Sequence, residues 1–186
     1  MRYRRAWVPG GTYFFTLALQ DRSQTLLTDH IESLRAAFRQ TRAQHPFRIL
    51  AIAVLPEHLH CIWQLPCADC DYPLRWNLIK GAFSRQLPKT EVVQLSRHLK
   101  RERGIWQRRY WEHLIRNPDD LQAHVDYIHY NPVKHGHVSN PRDWPYSSIH
   151  RYIARGLIPA DWSAPTPSVG PRRLGANLRH TQDEAP

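Results

Sequence analysis

The sequence predicts a single α+β domain: strands and helices together, with antiparallel pairing in its sheet. Three observations carry this. Segments rich in β-branched and aromatic residues, over 12–19 and 47–65, read as strands. Apolar residues recur at helical spacing over 30–44, 73–87 and 119–131. The second strand segment is broken only by Pro56-Glu57, a connection short enough that its halves form an antiparallel hairpin. A chain of 186 residues suits one domain with a substantial core.

In order, residues 2–5 form a short basic arm that includes Arg4 and Arg5, and Gly10-Gly11 marks a turn. Thr12 to Leu19 is the first strand, ended by Asp21 to Ser23. Asp29 is placed to cap a helix, with Glu32 completing a capping box. Ile31, Leu34, Ala37, Phe38 and Thr41 then fall on one helical face, and Pro46 ends it. Strands 47–55 and 58–65 follow. The next loop holds Cys67 and Cys70; a lone Cys-x-x-Cys lacks the second pair of a zinc ribbon and reads as an acidic surface loop. Leu74, Leu78, Ile79, Ala82 and Phe83 build a helix over 73–87, with Lys80 and Arg85 elsewhere on its surface.

Residues 88–103 are polar and charged, a short helix or a basic loop. Residues 105–115 interleave Trp106, Tyr110 and Trp111 with Arg108 and Arg109, and read as one or two strands. Asn117-Pro118-Asp119-Asp120 is a helix start: a cap, a proline in the first turn, then acids at the positive end of the dipole. This helix is predicted to run to Asn131 and stop at Pro132. The stretch 133–152 wraps the domain. Residues 1–160 form the domain, and 161–186 a proline-rich tail without a core of its own.

The formal net charge is +10, and 22 of the 26 basic residues are arginine. Arginine grips phosphate with two parallel donors and stacks on bases. Seven Trp, eight Tyr and five Phe add flat rings. Charge for the backbone and rings for unpaired bases is what single-stranded nucleic acid binding requires. No apolar run approaches a membrane span, and no apolar segment behind the N-terminal arginines makes a signal peptide. Three cysteines form no even disulfide framework, so a reducing cytoplasm is expected.

The chemistry centres on His58-Leu59-His60. On a strand these two imidazoles project from one face, two ligands of a metal site that needs a third from elsewhere. The motif alone says little: with 12 histidines, chance placement gives about 0.8 such triplets, and His135-Gly136-His137 is a second. Its weight comes from the last predicted helix. Asp120, His124, Tyr127 and Asn131 form a polar stripe there, distinct from the apolar stripe of Leu121, Val125 and Ile128. Tyr127 and Asn131 stand one turn apart, a nucleophile beside a ligand. Two imidazoles and an amide oxygen with open positions suit Mg²⁺ or Mn²⁺ better than a closed zinc site. Tyrosine is a poor nucleophile unless a cation or base helps it, and His124 is either that base or a stripe neighbour. Tyr110, Tyr130 and Tyr146 share no rigid face with a candidate ligand.

Four segments together resemble the single-tyrosine HUH transposases, specifically the REP-associated tyrosine transposase branch. They are Gly10-Gly11-Thr12-Tyr13-Phe14-Phe15-Thr16, Leu55 to Trp63, Ile105-Trp106-Gln107 with Tyr110-Trp111-Glu112-His113, and Tyr127 to Lys134. The resemblance spans Tyr3 to Trp162. It implies a ferredoxin-like sandwich, an antiparallel sheet with helices packed against it. It implies metal ligands at His58, His60 and Asn131 and a nucleophile at Tyr127. Asn131 fits the REP-associated branch, where mobile relatives usually have Gln. It further implies a divalent cation, Mg²⁺ or Mn²⁺, and a substrate of single-stranded DNA carrying a hairpin, nicked and rejoined. Arg4, Arg5, Lys80, Arg108, Arg109 and Lys134 are expected to contact that DNA. A hairpin-DNA binder that regulates without cutting is the alternative. Relatives include swapped dimers and monomers, and the monomer is preferred.

Overall fold

The computed structural model describes residues 7–89 and 103–163. The basic arm with Arg4 and Arg5, nearly all of the segment 88–103, and the tail beyond 163 lie outside them. The elements are β1 (Thr12–Ala18), α1 (Leu26–Asp29), α2 (Ile31–Gln44), β2 (Arg48–Val54), β3 (His58–Gln64), α3 (Tyr72–Gln86), β4 (Trp111–Leu114), α4 (Pro118–Lys134), a 3₁₀ turn (Pro141–Asp143) and α5 (Ile149–Ala154). The sheet is antiparallel throughout, in the order β2-β3-β1-β4. With α2 and α3 as the crossovers, this is the ferredoxin-like βαββαβ arrangement, an open α+β sheet.

Alternation along the strands sorts the side chains into two layers. Tyr13, Phe15, Leu17, Leu59, Cys61 and Trp63 join Leu34, Phe38, Trp76, Ile79 and Phe83 in the larger core, under α2 and α3. Phe14, Ile62, Ala51 and Ala53 meet Val125 and Ile128 of α4 on the other face. The sheet is therefore covered on both sides, and β1 and β3, its inner strands, are almost wholly buried. Arg75 locks the 67–71 loop to this scaffold. Its guanidinium is buried and donates to both carboxylate oxygens of Asp69 (3.1 and 2.7 Å) and to the carbonyls of His45, Pro46 and Asp71. The three cysteines are free thiols.

Three expectations need correction. The capping box at Asp29 does not form, because the fully buried Leu27 draws residues 26–29 into their own turn. Asp29 instead accepts from the Thr25 hydroxyl at 2.5 Å, and α2 starts after a break at His30. The strand predicted over 105–115 survives as β4 and one isolated bridge, Trp106 to Leu19. Between them the chain leaves the sheet edge, with Lys80 holding the Gln107 carbonyl at 2.8 Å. The wrapping stretch 133–152 contains the 3₁₀ turn and the start of α5, and Ser147 bridges to Ala53 on the β2 edge.

The third correction shapes the site: α4 does not stop at Pro132 but continues to Lys134. A proline forfeits one backbone donor, and near a helix end that loss is small. The stop is a Schellman motif: Gly136 N–H donates to Val133 O and His137 N–H to Pro132 O, with Gly136 at φ +73°. That left-handed conformation favours glycine.

Burial of His129 ties α4 to the β2 edge. Its Nε2 lies 2.9 Å from the Ser148 hydroxyl, which in turn accepts from Ile52 N–H. Burial, with Arg151 and His150 nearby, pushes the His129 imidazole down to about 3. The unfolded chain binds a proton at an ordinary histidine pKa that the folded chain refuses, so stability falls as pH drops from about 6.5 toward 3. The melting temperature should be lower at pH 5.0 than at pH 7.5, and His129→Gln should flatten that slope; an unchanged slope in calorimetry counts against this assignment.

Candidate active site between the sheet and helix α4

Two layers of local sequence build the site. On β3, His58 and His60 stand on the α4 face, while Leu59 and Cys61 enter the larger core. Their rings are 4.9 Å apart, and both side chains are nearly fully buried. Each imidazole is held by its Nδ1. Thr16, the direct cross-strand partner of His60, places its hydroxyl 2.8 Å from that nitrogen. The Glu57 carboxylate lies 2.8 Å from Nδ1 of His58 and also accepts from Arg22 at 3.1 Å. Burial raises Glu57, but the hydrogen bond and charge of His58, with Arg22, outweigh it and hold the carboxyl near 2. Fixing Nδ1 of a histidine this way orients the ring and leaves Nε2 as the free donor. The Nε2 of His60 is buried with no hydrogen-bond partner. Burial, reinforced by neighbouring cations, keeps His60 neutral.

Helix α4 begins at the Asn117 cap, whose side chain accepts from Asp120 N–H at 2.8 Å. It lays the polar stripe over the sheet. The Tyr127 ring is 5.2 Å from His60 and meets Phe14 edge-on at 6.0 Å. Burial raises its phenol above the ordinary value, offset in part by the Asn131 amide. Asn131 is 0% exposed; its amide lies close enough to the phenol to lower it, but neither its oxygen nor its nitrogen makes a well-formed hydrogen bond. The structure thus gathers His58, His60, Tyr127 and Asn131 on one face of the sheet. The competing tyrosines lie elsewhere: Tyr130 faces Trp162, Tyr110 packs on Phe15 and Trp76 beneath the opposite face, and Tyr146 lies against Trp144.

The predicted DNA contacts divide. Lys134 sits with its ammonium 4.9 Å over the Tyr127 ring. Arg108 and Arg109 are exposed just before β4. Lys80 belongs to α3, on the far side of the sheet from Tyr127, and is occupied with Gln107.

Sequence reasoning missed His135. Its ring is 5.0 Å from His58, and it continues the Tyr127–Asn131 stripe by one more turn. Ending the helix at Pro132 hid that spacing. It also missed how Asp120 and His124 are used. With His113 they form a group whose donor atoms lie within 4.8 Å of one another, the one such His/Asp group among the described residues. Asp120 is shared: its carboxylate lies 2.9 Å from His113 Nε2, 3.1 Å from His124 Nδ1, and accepts from Arg116 N–H at 2.9 Å. The two rings are 4.8 Å apart and within 14° of parallel, so their lone pairs lie in separate planes. As built, the group ties β4 to α4. His124 Nδ1 is also 2.8 Å from the Asp120 carbonyl, which holds the ring in the stripe, and its buried Nε2 has no hydrogen-bond partner.

No helix among the described residues is long and apolar enough to cross a membrane. The family described as "Transposase IS200 like" matches residues 8–131. A protein of Haemophilus influenzae described as a putative REP-associated tyrosine transposase is 51% identical over 162 residues, covering 86% of this chain and 92% of its own length. The REP-associated tyrosine transposase of Escherichia coli K12 is 47% identical over 161 residues, covering 87% and 90%. A solved structure of a REP-associated tyrosine transposase bound to a REP hairpin superposes with a TM-score of 0.77 at 44% identity, covering 94% of this chain and 99% of that one. The chain therefore belongs to the IS200-like transposases, as a member of the REP-associated tyrosine transposases.

Proposed function

We propose that this protein nicks and rejoins single-stranded DNA at hairpins of repeated palindromes, through a covalent 5′-phosphotyrosine on Tyr127. The family supports a DNA-processing role, and a relative 44% identical in sequence holds a REP hairpin. One observation carries the finer reading: the Tyr127 ring lies 5.2 Å from His60, beside buried, unpartnered atoms of His60 and Asn131. Each unsatisfied buried polar group costs about 1–3 kcal/mol. A divalent cation, which the family implies, offsets that cost, and these donors fit it. His58 and His60 through Nε2, and Asn131 through its amide oxygen, are the residues that would hold Mg²⁺ or Mn²⁺. When bound, the cation polarises the scissile phosphodiester and takes up developing negative charge.

The remaining work falls to the chain. The Tyr127 oxygen forms a bond to phosphorus as the bond from phosphorus to the 3′ oxygen breaks. The phenolic proton is released and the departing 3′ oxygen gains one, so the step is proton-neutral. Phosphorus stays attached to the 5′ oxygen of the downstream strand. Attack by a 3′ hydroxyl on the phosphotyrosine reverses the step and rejoins DNA. The basic surface holds the backbone, and Lys134, its ammonium 4.9 Å over the Tyr127 ring, adds positive charge on the side of the nucleophile.

The test is incubation with end-labelled hairpin DNA and Mn²⁺, read on a denaturing gel. A covalent adduct is expected. Tight hairpin binding with no adduct under any divalent cation overturns the nicking reading and leaves a hairpin-binding protein. Thr16→Val is a finer check. Losing the hydroxyl that orients His60 should lower Mn²⁺ affinity and nicking by about 10–100-fold with hairpin binding intact. Wild-type Mn²⁺ affinity in this variant removes Thr16 from the role.

A further inference from the structure

Trp111 is the outlying aromatic of the active-site face. It starts the edge strand β4 and pairs with Thr16, which pairs with His60, so all three stand in one cross-strand row. Two strand spacings, about 10 Å, separate Trp111 from His60 along that row. The indole is 36% exposed. It is nevertheless held firmly: it is parallel to His113 within 2° at 5.8 Å and meets Phe14 edge-on at 5.5 Å. Phe14 in turn touches the Tyr127 ring. His113 cannot swing away, because Asp120 binds its Nε2 and His124 packs behind it. Arg109 and Arg116 are exposed at the two ends of the same short strand.

A rigid, partly open ring flanked by exposed arginines, separated from the proposed nucleophile by Phe14, has the chemistry of a stacking platform for an unpaired base. We propose that Trp111 stacks on the unpaired nucleobase next to the scissile phosphate, with Arg109 and Arg116 on the adjoining phosphates. The Asp120–His113–His124 tie then has a purpose: it keeps Trp111 in register with Tyr127. This inference rests on the single-stranded DNA reading above and adds a base-binding subsite to it.

The test uses the full chain and two oligonucleotides with the same hairpin stem, one blunt and one with unpaired flanks carrying 2-aminopurine at successive positions. Wild-type protein should quench the probe at the flank position that sits on Trp111. Trp111→Ala should lose that quenching and bind the flanked hairpin about 10-fold more weakly, with blunt-hairpin affinity unchanged. Trp111→Phe should keep most of both signals, which a fold defect would not allow. Equal flanked-hairpin affinity and equal quenching in Trp111→Ala overturn the subsite while leaving the nicking reading intact. Failure of the wild-type protein to prefer the flanked hairpin overturns both.

Discussion

Replacing Tyr127 with Phe will abolish the covalent adduct and reduce nicking by on the order of 10⁴-fold or more, with hairpin affinity and melting temperature near wild type. The substitution removes one oxygen. The ring keeps its contacts with His60 and Phe14, so packing is retained. What is lost is the only phenol that faces the His58–His60 pair among the four tyrosines considered. Attack at phosphorus must be nearly in line, and a misplaced substitute gains little. Tyr130→Phe should be mild, since Tyr130 looks toward Trp162. Gel analysis of both variants and peptide mapping of the adduct decide the matter. An adduct in the Tyr127→Phe protein, or DNA attached to another tyrosine, ends the assignment.

His60→Ala is the second large effect expected. His60 is 4% exposed, neutral, and aims an unpartnered nitrogen at the site. Its loss should weaken Mn²⁺ binding at least 100-fold and remove detectable nicking. Hairpin binding should persist, because it comes from arginines and rings rather than from the cation. Titration calorimetry with Mn²⁺ separates the two properties. Cleavage by wild-type protein in excess chelator, or unaltered Mn²⁺ affinity in His60→Ala, would falsify the ligand role. His58→Ala should behave similarly, with an added effect on Glu57, whose carboxylate loses its hydrogen-bonding neighbour.

Some of this was legible in the chain itself. Strand alternation placed His58 and His60 on one face and Leu59 and Cys61 on the other, because the period of a strand is two. The Asn117 cap and the proline and acids after it marked the start of α4 to the residue, because capping is local chemistry. Helical spacing put Tyr127 and Asn131 on one stripe. The short connection at Pro56-Glu57 gave the hairpin of β2 and β3. Composition alone pointed toward nucleic acid.

Tertiary structure decided the rest, because it depends on which distant segments meet. No spacing rule says that Thr16 lies opposite His60, 44 residues away; the β1–β3 register says so. Whether α4 covers the His face or the Leu59 face is settled by which sheet surface is left open once α2 and α3 occupy the other. Pro132 looked like a stop because its missing donor was judged without the Schellman bonds beyond it, so His135 went unseen beside His58. The charge of Lys80 is local information, while its side of the sheet, opposite Tyr127, is not. The residues of the chain determined the donors, their spacing and their charge; the closing of four strands and a helix around Phe14 determined which of them share one space.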